Sequence, residues 1–194
     1  KIFEAGRVFI PGERQGSASI PPLGERPSDE VLADLNAGIP EQPVYFSGLF
    51  AGAEHEPMPG TQARAYDWRD ALDAARLIAD VLGVEIVIAQ GTHQAFHPGR
   101  TAQLRTQDGQ TIGYAGELHP KLLQTENLPE RTCAFEVNFT ELFASRSGVP
   151  QASPIYGYPA ATQDVALVVD ENIPASEVAQ ALRDGAGELL EDLR

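Results

Sequence analysis

The chain has 194 residues, 42% of them hydrophobic and 22% charged, which is enough for one domain, or one and a part. Its formal net charge of −14 argues against strong autonomous binding to nucleic acid, where phosphate contacts supply most of the affinity. A lone cysteine, Cys133, excludes an internal disulfide. No apolar run approaches the roughly 20 residues that span a bilayer, and no basic-then-apolar segment opens the chain, so the expected location is cytoplasmic.

The sequence starts on Lys1 inside what reads as a strand over residues 2–10, as an excised piece of a longer protein would. Residues 11–42 hold Pro11, Pro21, Pro22, Pro27 and Pro40 and read as a surface excursion with a short helix near residues 29–35. Residues 44–50 have the aromatic and β-branched content of a buried strand, and a second loop covers 54–65. From Asp67 as N-cap, Trp68, Ala71, Leu72, Ala75, Ile78 and Leu82 recur at helical spacing until Gly83 stops them. That stripe places Trp68 on the inner face of the helix. A strand is expected over 84–89, then a hairpin of 102–106 and 111–117 turning at Asp108-Gly109. His119-Pro120 opens a short helix, 132–139 reads as a strand, and 141–145 as one helical turn. The turn-rich stretch 147–154 marks a domain boundary near residue 150. Beyond it, 164–170 reads as a strand, Pro174 begins a helix ended by Gly185, and Leu189-Leu190 would open another strand.

His93, His97, Glu117 and His119 are close enough in sequence to raise a zinc site, which needs three or four converging ligands. Pro98 and Gly99 oppose the helix that would put His93 and His97 on one face, and His119 is better explained as a helix entry. Cys133, within a strand, reads as a small buried hydrophobe, and Asp170-Glu171 and Glu191-Asp192 as solvated pairs. No nucleophile elbow or phosphate-binding loop is visible.

The run Phe96-His97-Pro98-Gly99-Arg100-Thr101-Ala102, followed by Ile112-Gly113-Tyr114-Ala115-Gly116-Glu117-Leu118-His119-Pro120, resembles paired motifs of the β subunit of bacterial phenylalanyl-tRNA synthetases. Phe3-Glu4-Ala5-Gly6-Arg7-Val8-Phe9, Leu49-Phe50-Ala51-Gly52, Phe135-Glu136-Val137, Tyr158-Pro159-Ala160 and residues 164–170 continue the likeness in order. The resemblance implies the C-terminal part of such a subunit. Residues 1–150 would be a catalytic-like but inactive class II synthetase domain, and 151–194 the start of a ferredoxin-fold anticodon-binding domain. The fold class is therefore α+β, an antiparallel sheet flanked by helices, followed by a partial ferredoxin-like βαβ. It further implies an (αβ)2 assembly in which the α subunit uses ATP and magnesium to charge tRNA(Phe), with no cofactor and no chemistry in this piece. His97, Pro98, Gly99, Arg100, Gly113, Gly116, Glu117, His119 and Pro120 are then motif residues of structural role, the glycines permitting close backbone approach or positive φ.

Two features depart from the family pattern. Thr162-Gln163 stand where a basic residue commonly precedes the strand, and the ferredoxin-like domain is only half present, its residues 151–194 carrying two basic residues against eight acidic ones, so this piece is not expected to bind an anticodon. Half a ferredoxin fold should also leave apolar faces open, so the isolated piece is expected to self-associate through it. An interaction module of another assembly and a metal-dependent hydrolase using His93, His97 and His119 are the competing readings.

Overall fold

A computed structural model of the chain describes residues 1–13, 20–21, 23–149, 152, 155 and 157–193. The chain forms two compact units, Lys1–Pro150 and Gln151–Arg194.

The first unit is built on a six-stranded antiparallel sheet of order β1-β2-β6-β5-β4-β3. Its strands are β1 (Ile2–Arg7), β2 (Val44–Phe50), β3 (Val87–Gln90), β4 (Phe96–Arg105), β5 (Thr111–Leu118) and β6 (Cys133–Asn138). Because side chains alternate across a strand, the register decides which residues share a face. Phe46, Val137, Gly113, Leu104 and Ile88 line up across five strands toward the core. Glu4, Ser47, Glu136, Tyr114, Gln103 and Ala89 line up on the opposite face, which is the mixed polar pattern of a sheet with one solvated side. The core face is covered by α2 (Trp68–Leu82), whose Ala71, Leu72, Ala75 and Ala79 are buried, and by Leu142 of α4 (Phe139–Ala144). Small residues at 71, 75 and 79 let the helix lie close to the sheet.

Helix α2 starts as expected. Asp67 and Asp70 form a reciprocal capping box, and Gly83 in the left-handed conformation ends the helix. Arg64 holds Asp70 through its two terminal guanidinium nitrogens and keeps its carboxyl below the usual range. Trp68, by contrast, does not occupy the inner face. It is 37% exposed at the first position of the helix, with the Arg69 guanidinium 5.1 Å from the ring centre. The stripe that reaches the sheet begins at Ala71, one turn later.

Several boundaries also move. Strand β1 stops at Arg7 rather than residue 10, because the chain opposite it reaches Pro43, which has no N–H to give; Val8 and Ile10 still donate to the carbonyls of Pro43 and Glu41. Residues 84–86 complete the exit from α2, with Val84 N–H bonded to Ala79 O, so the regular strand begins at Val87. The surface excursion carries α1 (Asp29–Ala37), capped by Ser28.

In the second unit, α5 (Ala175–Ala186) continues through Gly185 and ends at Gly187, where φ is 68°. Residues 164–170 are not a strand, and Leu189 closes a 3-10 turn (Gly187–Leu189) instead of opening one. A strand exists only against a partner that takes its hydrogen bonds, and the described residues of this unit supply none. The expected βαβ is therefore only its helix. Leu167, Val169, Ile173, Val178, Leu182 and Leu193 instead line an apolar groove of about 480 Å³.

Candidate functional site

The motif residues converge where β4, β5 and β6 run side by side, and the start of β4 is the unusual element. Phe96 pairs with Leu118 and Thr101 with Gly116, so five residues advance on β4 while two advance on β5. Residues 97–100 form an outward bulge, placing the His97-Pro98-Gly99-Arg100 run inside a strand and not before one. The bulge is tied down from within. Thr101 Oγ1 donates to His97 O at 2.6 Å, and Gly99 N–H donates to His97 Nδ1 at 3.1 Å.

Two of the three motif glycines are required by close backbone approach. A Cβ on Gly113 would sit 2.0 Å from the Glu136 carbonyl oxygen, and one on Gly116 would sit 2.1 Å from the Arg100 carbonyl oxygen. Gly99 does not fit that expectation. Its φ is not positive, and its nearest neighbours are His97 ring atoms at 3.9 Å, because the bulge turns its backbone away from the sheet.

Glu117 is the best-buried charge of the site, with its side chain 4% exposed. Arg100 donates to Oε2, and Arg131 Nε donates to Oε1 at 3.0 Å. Burial pushes the Glu117 carboxyl up, but hydrogen bonds and charge from the two arginines outweigh it, and the net result lies below the ordinary value. Arg131 takes this position with φ at 59°, a conformation that a non-glycine residue holds only when its surroundings enforce it. Nothing in the sequence singles out Arg131, since it stands 14 residues from Glu117 and is brought back by the turn around α3 (Pro120–Thr125). The carboxylate is thus a bolt joining the β4 bulge to the entry of β6.

His119 caps α3, accepting Lys121 N–H at its Nδ1, with Pro120 in the first turn. The His93 ring lies tilted against Tyr114, ring centres 4.8 Å apart, and its Nδ1 accepts Ala95 N–H. All three histidines therefore use Nδ1 as an acceptor for the N–H two residues on. In a neutral imidazole the proton then lies on Nε2, leaving no lone pair for a metal. Among the described residues, no group of three or more His, Cys, Asp or Glu could hold a metal ion. His93 and His119 do share a surface cleft, which His97 does not line.

Cys133 is buried, and burial together with the charges of Glu117 and Asp67 pushes its thiol up to about 12.

The family model described as the phenylalanyl tRNA synthetase beta chain CLM domain matches residues 1–139. Over 196 residues the chain is 45% identical to the phenylalanine–tRNA ligase beta subunit of Streptomyces avermitilis, covering 100% of this chain and 24% of that protein. It is 46% identical to the protein of that name from Leifsonia xyli subsp. xyli, covering 100% and 23%, and 37% identical to that from Mycobacterium leprae, again covering 100% and 23%. The chain spans about a quarter of the length of the curated relatives it matches.

Proposed function

Because the chain belongs to the phenylalanyl-tRNA synthetase β-chain family, we propose that it is the non-catalytic scaffold of a phenylalanine–tRNA ligase, serving assembly with an α subunit and the holding of tRNA(Phe). The observation that carries this reading is the state of Glu117. A carboxylate locked between Arg100 and Arg131 fixes the strands around it and is unavailable as an acid, a base or a metal ligand.

In this proposal the six-stranded sheet with helices on its core face is a class II synthetase-like module that has lost its chemistry. The unit Gln151–Arg194 is the opening of a ferredoxin-like anticodon-binding domain, and its apolar groove is the face that the rest of that domain covers. Without that remainder, the groove is where copies of this chain associate. ATP and magnesium act on the α subunit, in the cytoplasm, in an (αβ)2 assembly. The acidic balance of residues 151–194 leaves anticodon contacts to the completed ferredoxin-like domain rather than to this unit alone.

The test is reconstitution. The complete β subunit should co-purify with the α subunit and restore charging of tRNA(Phe), while β alone gives no phenylalanine-dependent ATP–pyrophosphate exchange. Exchange by β alone, or failure of the two subunits to associate, would refute the proposal.

A further inference from the structure

We infer that the Asp108-Gly109 turn of the β4–β5 hairpin is a site of isoaspartate formation, and that the Thr106 hydroxyl holds the reaction off in the folded chain. In this reaction the Gly109 nitrogen attacks Cγ of the Asp108 carboxyl. A C–N bond forms, the Cγ–OH bond breaks, and water leaves with the nitrogen's proton, giving a five-membered succinimide. Water then adds at the main-chain carbonyl carbon of Asp108 and breaks its bond to the nitrogen. The chain now continues through Cγ, with one more methylene in the backbone and no change in mass. Glycine after aspartate is the favourable case, because no Cβ hinders the attacking nitrogen. The chain has two such pairs, Asp108-Gly109 and Asp184-Gly185.

The turn withholds both reacting groups. Gly109 N–H donates to Thr106 O at 3.0 Å and Thr106 N–H to Gln110 O at 2.9 Å, which closes a three-residue loop with Gly109 at a φ of 90°. The Thr106 hydroxyl donates to Asp108 Oδ1; Gln110 O lies 3.2 Å from the same hydroxyl, but its single hydrogen favours the charged acceptor. That bond and a backbone hydrogen bond from Gln110 hold the Asp108 carboxyl below the usual range, in the ionised form that has no hydroxyl to expel. Thr106 is itself buried, so its hydroxyl is fixed in place. Asp108 and Gly109 are exposed, and the space beside Gly109 is open, so hydrogen bonds rather than packing restrain them. The hairpin could not absorb an extra methylene by sliding. Arg105 pairs with Thr111 and Leu104 with Gly113 directly below the turn, and Gly113 stands against the Glu136 carbonyl with no room to spare. Asp184-Gly185 lies inside α5, where Gln180 Nε2 donates to Asp184 Oδ1 at 2.8 Å, and serves as a reference within the same chain.

Ageing the complete β subunit at neutral pH, with trypsin digestion and electron-transfer mass spectrometry at intervals, reads the two sites separately, since cleavage after Arg105 and Arg183 puts them in different peptides. Thr106→Val keeps the shape of the side chain and removes the hydroxyl, whereas Thr106→Ser keeps the hydroxyl. Isoaspartate at residue 108 should accumulate about fivefold faster in Thr106→Val, the net worth of one hydrogen bond. Thr106→Ser should age like wild type, and residue 184 should be unchanged in all three proteins. Equal rates at residue 108 in wild type and Thr106→Val would overturn the inference. So would a rise at residue 108 in both variants, which would assign the protection to packing of the threonine methyl group, or a parallel rise at residue 184, which would assign it to a general loosening of the chain.

Discussion

Replacing Glu117 is the most informative perturbation, because one carboxylate joins three strands. In Glu117→Ala two charge-assisted hydrogen bonds disappear, each worth about 1.5–3 kcal/mol when a charged partner is involved. The side chains of Arg100 and Arg131 are 48% and 66% exposed, so water takes back part of their hydration once the acid is gone. That places the loss near the lower end of the sum, about 3 kcal/mol, below the upper range for breaking a fully buried pair. Glu117→Gln keeps the shape and one acceptor but turns an amide N–H toward a guanidinium, for about half that loss. Urea unfolding followed by circular dichroism measures both. The pH dependence supplies an independent check. Since the folded-state carboxyl is lowered, its stabilisation is fully present above the unfolded value, about 4.3, and is lost as pH falls through the still lower folded value. The gap between wild type and Glu117→Gln should hold at pH 7 and close in strong acid. Variants within about 0.5 kcal/mol of wild type at pH 7, the usual scale of neutral surface changes, would refute the bolt.

Alanine at Gly113 or Gly116 should cost about 3 kcal/mol or more in thermal or urea melts, since each Cβ meets a backbone oxygen that cannot step aside. Gly109→Ala, with open space around it but φ at 90°, should cost only about 1–2 kcal/mol. Cys133 should react with Ellman's reagent only on unfolding, because a thiol pushed up to about 12 and fully buried offers almost no accessible thiolate at pH 8. Trp68→Ala should cost about 1–3 kcal/mol, short of the roughly 3–5 kcal/mol of a fully buried tryptophan because 37% of its surface stays in water, and a larger drop in urea stability would mean that the indole is packed after all.

Local chemistry was legible wherever neighbours in sequence are also neighbours in space. The Asp67 cap and Gly83 stop of α2, the turn at Asp108-Gly109 and the His119-Pro120 helix entry each depend on groups within a few residues of one another. The paired runs at 96–102 and 112–120 carried the family likeness, yet their spacing alone does not tell why the residues are there. Only the tertiary structure shows that Gly113 and Gly116 face the carbonyls of Glu136 and Arg100, and that Gly99 does not serve in that way. The partnership of Glu117 with Arg131 was invisible for the same reason: it is made by strand pairing and by the turn around α3, not by spacing. Trp68 fell on the right helical stripe but at its margin, because periodicity gives a direction around the helix axis and says nothing of where along that axis the sheet begins. Residues 164–170 have a strand's composition without a strand's structure, since hydrogen-bond partners for an extended segment must come from elsewhere in a fold, and composition cannot supply them.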